Sequence, residues 1–323
     1  GRAEKDGIVS PAYVVVEPRE NMDSRFAAHW FKSARMIYLF WAYSYGLTKD
    51  RLRLYADDFC HIPAGPPSLP EQKRIAEALD AYDQMIAREN AYVAAKKRQF
   101  SWLYKEIFPD SGATLPEGWK AEPITSVAKV RFSGVDKKSA QGEIKVRLCN
   151  YMDVFNNRRI TADLPFMDAT ATAREIEAFA LQRGDVVFTK DSETAEDIGA
   201  SAVVAEPLDN IICGYHLGIA RAKPKHVTGE YLAYALRHPW VREEFRKAAN
   251  GVTRFGLNLD VMDQVHVLVP SLERQKAIAA ALHAVEDEID ILTKQAGALR
   301  LQKKGIMQRF FGEESLVANE AAE

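Results

Sequence analysis

Two stretches of the chain carry apolar residues at alternating steps of three and four. In the first they are Ile75, Leu79, Tyr82, Ile86, Val93, Phe100, Tyr104 and Ile107. In the second they are Ile278, Leu282, Val285, Ile289, Leu292, Ala296, Leu299, Ile306 and Phe310. A period near 3.5, held over so many turns, predicts two long helices with coiled-coil seams. Each runs for roughly 38–40 residues, which is ~57–60 Å at 1.5 Å per residue and more than a globular core needs. Pro70 marks the start of the first and Pro270-Ser271 that of the second. Ser271 can cap its helix, and Glu273 meets the positive end of the dipole. Shorter apolar runs lie elsewhere. Lys129–Phe132, Lys145–Leu148, Val186–Thr189, Ala202–Ala205, Ile211–Cys213 and Gly218–Ala222 read as strands. Residues 230–238 and 241–249 read as helices broken by Pro239. Upstream of the first long helix, Tyr13–Pro18 reads as a strand and Arg25–Tyr45 as a helix.

The two halves of this pattern repeat. PSLPEQK at 67–73 returns as PSLERQK at 270–276, and the offset of 203 carries Ile75, Leu79, Ile86 and Phe108 onto Ile278, Leu282, Ile289 and Phe311. Just upstream the offset is 205, matching Gly46, Thr48 and His61 with Gly251, Thr253 and His266. Tyr13–Pro18 matches Ile219–Pro224 at 206. So many matches in one register predict an internal duplication. The fold class expected is therefore α/β (α+β) domains separated by two long antiparallel coiled-coil helices. Burying both seams is simplest if the two helices pack on each other; seams on different partners, or self-association with a second copy, are the alternatives. The far helix ends are basic, with Lys96, Lys97, Arg98 and Lys105 in one and Arg300, Lys303, Lys304 and Arg309 in the other. Complementing the dipole and touching a partner or a phosphate both account for that.

Composition narrows the function class. The 323 residues are 47% hydrophobic and 27% charged, which predicts a folded core and excludes disorder by composition. Cys60, Cys149 and Cys213 form no C-x-x-C pair, which argues against a disulfide framework or a structural zinc and for a reducing cytoplasm. No apolar run is long enough to cross a bilayer, so no membrane partner is expected. The net charge of −2 conceals blocks of opposite sign. Lys129–Arg159 holds eight basic and three acidic residues, Asp163–Asp209 three and eleven, and Arg221–Arg254 eight and three. A solvated surface yields such blocks by chance; one basic and one acidic face is the sharper reading. The chain carries no phosphate-binding glycine loop, nucleophile elbow or base-methyltransferase motif. Asp136 with Glu143-x-Lys145 is the one faint enzyme pattern, that of a metal-dependent nuclease. His61 and His266 occupy equivalent repeat positions and read as structural rather than ligating.

What remains is a set of binding loops. Gly184–Thr194 (GDVVFTKDSET) is an apolar strand running into a polar loop with Lys190, Ser192 and Thr194. Gly251–Leu257 (GVTRFGL) is flexible, with one Arg and one aromatic. Asn150, Asn156, Asn157, Arg158 and Arg159 add a polar, basic stretch. Side chains of these types hold phosphates or read base edges, and they also occur in ordinary solvated turns.

These motifs resemble a known family. LPEGWK at Leu115–Lys120, GDVVFTKDSET, GIVSPAYVVVEP at Gly7–Pro18, and the lead-ins PSLPEQKRIAEALD and PSLERQKAIAAALH occur in the order, and with the duplication, of the specificity subunit of type I restriction–modification systems. The resemblance covers almost the whole chain. It implies two target recognition domains, each reading one half of a split double-stranded DNA sequence, with the helices as a ruler between them. It implies no catalysis and no cofactor or metal in this chain. Methyltransferase subunits, two of them, would bring S-adenosylmethionine, and restriction subunits would follow, with ATP and Mg also on the partner subunits, in a cytoplasmic phage defence complex. On this resemblance residues 1–66 are the C-terminal part of the first recognition domain, 67–110 the first long helix, 111–268 the second recognition domain, 269–314 the second helix and 315–323 a disordered tail. The first domain is expected to be short of its front, leaving the second to read its half-site. There, residue type and loop position make Lys129, Arg131, Lys137, Lys138, Arg158 and Arg159 the candidate phosphate contacts. Lys190, Ser192, Tyr215, His216 and Arg254 are placed closer to bases. A protein-binding scaffold without DNA affinity, or a nuclease using Asp136, Glu143 and Lys145, are the competing classes.

Overall fold

The computed structural model describes residues 2–3, 5–10, 13–48, 51–109 and 114–312; the expected tail at 315–323 lies outside the described residues. In chain order, three short helices, α1 (Ser24–Trp30), α2 (Ala34–Ala42) and α3 (Ala56–Cys60), precede the long α4 (Leu69–Ile107). Then follow β1 (Lys120–Pro123), α5 (Ile124–Val127), β2 (Ala128–Phe132), β3 (Ile144–Cys149), α6 (Tyr151–Phe155), β4 (Arg159–Ile160), β5 (Met167–Ala171) and α7 (Ala173–Phe179). Next come β6 (Asp185–Thr189), β7 (Asp191–Ser192), β8 (Ser201–Val204), β9 (Ile211–Cys213), β10 (Leu217–Ala222), α8 (Gly229–Leu236) and α9 (Pro239–Ala248). β11 (Phe255–Gly256), β12 (His266–Val269) and the long α10 (Leu272–Phe311) complete the order. None of the helices among the described residues is long and apolar enough to cross a membrane.

The chain divides within both long helices. One unit, the sheet unit, is Gln99–Glu286; the other, the helical unit, joins the residues up to Arg98 with those from Asp287 onward. The sheet unit is built on a five-stranded sheet of order β2-β10-β6-β8-β4, antiparallel except for β4 on β8. A second sheet, β5-β3-β9, pairs β3 parallel with β9. All five residues of β6 are buried. Val186 and Phe188 enter a core with α8 and α9, while Val187 faces the opposite core with Cys213 and Val154. This is why the strand reads as an unbroken apolar run instead of an alternation. α8 and α9 are separate because Pro239 takes the first position of α9, where its missing N–H costs nothing.

In the helical unit the two long helices run antiparallel. Asp83 pairs with Lys303, Asn90 accepts from Arg300 at 2.7 Å, and Lys96 pairs with Glu288, so one number falls as the other rises. Phe26, Trp30, Met36, Ile62, Ile75, Leu79 and Phe311 form the core. The predicted helix Arg25–Tyr45 is two helices, α1 and α2, broken at Phe31–Ser33; Asp23 caps the start of α1 and Ser33 caps the new N-terminus of α2. The predicted strand Tyr13–Pro18 pairs with nothing among the described residues, and Tyr13 and Val15 are 72% and 75% exposed. Its counterpart β10 lies between β2 and β6, and a strand exists only where a neighbour supplies the ladder hydrogen bonds.

The duplication is visible in two buried glutamines. Gln72 Nε2 donates to the carbonyls of Asn21 and Pro67, and its Oε1 accepts from the Asp23 amide. Gln275 Nε2 donates to those of His226 and Pro270, and its Oε1 accepts from the Thr228 amide. Asp23 and Thr228 are the N-caps of α1 and α8, so each glutamine ties the start of a long helix to the start of the helix beside it. Ser271 Oγ accepts from the Arg274 amide at 3.3 Å, the expected cap of α10.

Candidate nucleic-acid interface

β6 ends at Thr189, at the same end of the sheet where β2 ends at Phe132 and β10 begins at Leu217. The connections after β6 and before β10 are bonded to each other there and to the hairpin that carries β11. The Lys190 amide donates to the His216 carbonyl at 3.0 Å, and the Leu257 amide donates to the Lys190 carbonyl at 2.8 Å. β7 pairs with β11, placing Ser192 opposite Phe255 and Asp191 opposite Gly256. The hairpin of Arg254 turns at Gly251, whose φ is +145°. The Arg254 carbonyl occupies the place a Cβ would take there, so no larger residue fits. Gly46, its repeat equivalent, has the Arg51 carbonyl in the same place.

Lys190, His216 and Arg254 converge on one carboxylate, that of Asp191. Lys190 Nζ lies 3.2 Å from it, Arg254 Nη2 lies 3.4 Å from it, and His216 Nδ1 is hydrogen-bonded to it. Arg254 Nη2 is also 3.2 Å from His216 Nδ1. Burial holds the His216 imidazole below its ordinary range; Asp191 acts in the opposite direction, and Arg254 and Lys190 reinforce the depression. The Tyr215 ring lies 3.5 Å from the His216 ring, and Lys190 Nζ lies 5.9 Å from the centre of the Phe132 ring. Behind them Ser192 is buried in a hydroxyl network. Its Oγ is 3.2 Å from the Tyr151 hydroxyl and donates to Asp197, which also accepts from Thr194 at 2.7 Å.

Of the eleven candidate residues, the structure brings together Lys190, Ser192, Tyr215, His216 and Arg254. Lys137 and Lys138 sit on the exposed connection that leaves the same sheet end after Phe132. The others lie apart. Lys129 is opposite Arg221 at the far end of β2, and Arg131 Nη1 donates to the Ala178 carbonyl at 2.7 Å. Arg158 stacks on Phe100 at 4.7 Å and pairs with Glu286 of α10, while Arg159 begins the edge strand β4. Pattern reading missed Asp191, Asp197 and Tyr151. Asp191 stands inside GDVVFTKDSET, but its partners are up to 63 residues away and only the β7–β11 pairing joins them. The nuclease alternative gains nothing from the geometry. Asp136 caps the Lys138 amide, Glu143 accepts from the Thr170 hydroxyl, and no group of three His, Cys, Asp or Glu side chains among the described residues is placed to hold a metal ion.

Residues 116–299 match the sequence model of the type I restriction modification DNA specificity domain. The chain belongs to this family. The MjaVIII specificity subunit of Methanocaldococcus jannaschii is 24% identical over 263 residues, 77% of this chain and 61% of that one. The StySPI specificity subunit of Salmonella potsdam is 22% identical over 182 residues, 54% of this chain and 38% of that one. The chain therefore spans less than two thirds of either relative. Among solved structures, the type I restriction-modification S subunit from M. genitalium superposes with a TM-score of 0.59 at 13% identity, covering 91% of this chain and 74% of that one. A structure solved in a study of complex assembly and conformational transition of the type I R-M system gives 0.54 at 18% identity, covering 91% and 72%. At such identities the likeness is one of fold.

Each unit also holds a cleft between a helix junction and the end of a long helix. In the sheet unit, a cleft of about 520 Å³ lies where Arg237, His238 and Pro239 at the α8–α9 junction meet Phe100, Tyr104 and Phe108 of α4. In the helical unit, one of about 800 Å³ lies where Lys32, Ser33 and Ala34 at the α1–α2 junction meet Lys303, Met307 and Phe311 of α10. The offsets of 205 and 203 carry one set onto the other, residue for residue. Both clefts have an apolar floor and a basic rim, with Lys105 and Arg158 in the first and Arg300 and Lys304 in the second.

Proposed function

We propose that the chain is a non-catalytic, cytoplasmic DNA-recognition subunit of a type I restriction–modification complex, whose sheet unit reads one half of a split duplex target. The observation that carries this reading is the convergence of Lys190, His216 and Arg254, from three separate connections, at one end of the five-stranded sheet. Lysine and arginine there can meet phosphate oxygens or the acceptor edge of guanine, and a histidine beside a tyrosine adds a donor and a stacking face. Lys137 and Lys138 extend the positive edge toward the backbone. The family match supports DNA specificity as the role of residues 116–299.

Within the same reading, the two equivalent clefts dock two copies of one partner, the methyltransferase subunit, each through an amphipathic segment with acidic residues. The repeat supports this number, since two like sites suit two like occupants. S-adenosylmethionine, ATP and Mg are assigned to the methyltransferase and restriction subunits, and this chain supplies the address.

Selection from a randomised duplex library at two salt concentrations, with and without the methyltransferase subunit, tests the proposal. Enrichment of a short motif, with affinity falling steeply as salt rises, is the expected result. Salt-insensitive absence of binding with the partner present would leave a protein-binding scaffold.

A further inference from the structure

We infer that Asp191 is a specificity gate: in the free protein it engages the two cations of the reading cluster, Lys190 and Arg254, together with the His216 imidazole, so that phosphate alone does not capture them. This rests on the recognition reading above and adds a residue whose charge opposes DNA. A carboxylate at the centre of a DNA-reading face repels phosphate, and its presence calls for a reason. The geometry supplies one. Asp191 is 17% exposed on its side chain and holds Lys190, His216 and Arg254 together, whereas Arg254 is 58% exposed and within reach of any phosphate. The backbone of Lys190 and Asp191 is fixed from both sides, by the His216 carbonyl and by the β7–β11 pairing, so the carboxylate is presented from a rigid point in the cluster. Random DNA offers phosphates in place of one carboxylate and gains little from the exchange. A cognate duplex adds base-edge contacts, and these tip the exchange. Specificity is then a difference between two affinities, kept large by holding the nonspecific one down.

His216 gives the gate a direction in pH. The groups facing it are the Asp191 carboxylate, the Arg254 guanidinium, the Lys190 ammonium and the Tyr215 ring. It is neutral at pH 7, because burial and the two cations hold it below its ordinary range. On acidification it takes up a proton, neutralises Asp191 and leaves Arg254 available. DNA phosphate favours the protonated form, so affinity for random duplex rises as pH falls below the ordinary imidazole range.

The test is binding of the full chain to a random duplex and to its selected duplex across salt and pH, for wild type, Asp191→Asn, Asp191→Glu and His216→Gln. Asp191→Asn is expected to bind random duplex about tenfold more tightly, with a salt slope steeper by about 0.9 for each cation released, and to lose discrimination. Asp191→Glu retains the charge and stays near wild type. His216→Gln removes the rise at low pH. If Asp191→Asn weakens random and selected duplex alike, or leaves both unchanged with the salt slope unaltered, the gate is refuted. If no variant and not the wild type binds any duplex at low salt, the recognition reading itself is overturned.

Discussion

A single carboxylate, Glu286, fixes the first part of α10 within the sheet unit. It is 5% exposed, bonded to Arg158, 3.6 Å from Arg237 and 2.6 Å from the Tyr234 hydroxyl. Burial lowers the Arg237 guanidinium from its ordinary value, and the neighbouring Glu286 carboxylate is the largest influence opposing that shift. Removing one partner of such a group leaves the others unpaired, which typically costs about 3 kcal/mol. Glu286→Ala is therefore expected to lose about that much in a denaturant melt, and a loss below about 1 kcal/mol would show the bonds to be solvent-screened. Arg158 illustrates what residue types leave unsaid. In the sequence it sits in a basic stretch and reads as a phosphate contact, but Glu286 lies 128 positions away, and only folding makes them neighbours. Lys190, His216 and Arg254 are legible as basic residues in polar loops; the carboxylate joining them is hidden in the acidic block around it.

Among elements, the long helices are the most legible, because only a helix keeps a 3–4 spacing of apolar residues in register on one face over about ten turns. Leu69–Ile107 and Leu272–Phe311 start within two residues of the prolines that announce them. The strand at Tyr13–Pro18 is not legible in this way, since an alternating segment records what a strand would look like and not whether a neighbour exists to pair with it. The short pairs β1–β12 and β7–β11 carry too few residues for any pattern. The glutamine of the repeat lead-in shows the opposite case, a residue visible as a match whose role only the fold explains. Gln275 makes three bonds to otherwise unpaired backbone groups of Thr228, His226 and Pro270. Gln275→Leu keeps the volume and strands those groups, which should cost about 2–3 kcal/mol. A hydrogen-exchange experiment should show the loss concentrated at the start of α8 and α10. Uniform loss, or none, would mean water replaces the amide.

For the whole molecule, a net charge of −2 says nothing of DNA, and the charge blocks do not show which cations the fold itself engages, as Arg221 is by Asp185 and Arg158 by Glu286. What the two units share is legible only through the repeat. One offset for the helix junctions and another for the long helices carry the Arg237–Pro239 junction and α4 of one cleft onto the Lys32–Ala34 junction and α10 of the other. Lys105→Glu and Lys304→Glu, one in each cleft, should each reduce methyltransferase occupancy from two copies to one, and together to none, as read by native mass spectrometry. Retention of two copies in the double variant would remove the clefts from the docking account. The central claim is that the sheet unit reads DNA through the joined connections. Its most direct test is the duplex selection repeated with Lys190→Ala and Arg254→Ala. The account predicts that at least one of them relaxes a single position of the enriched motif while the rest of the motif persists. An enriched motif unchanged in every position by both substitutions would place the reading surface elsewhere and contradict it.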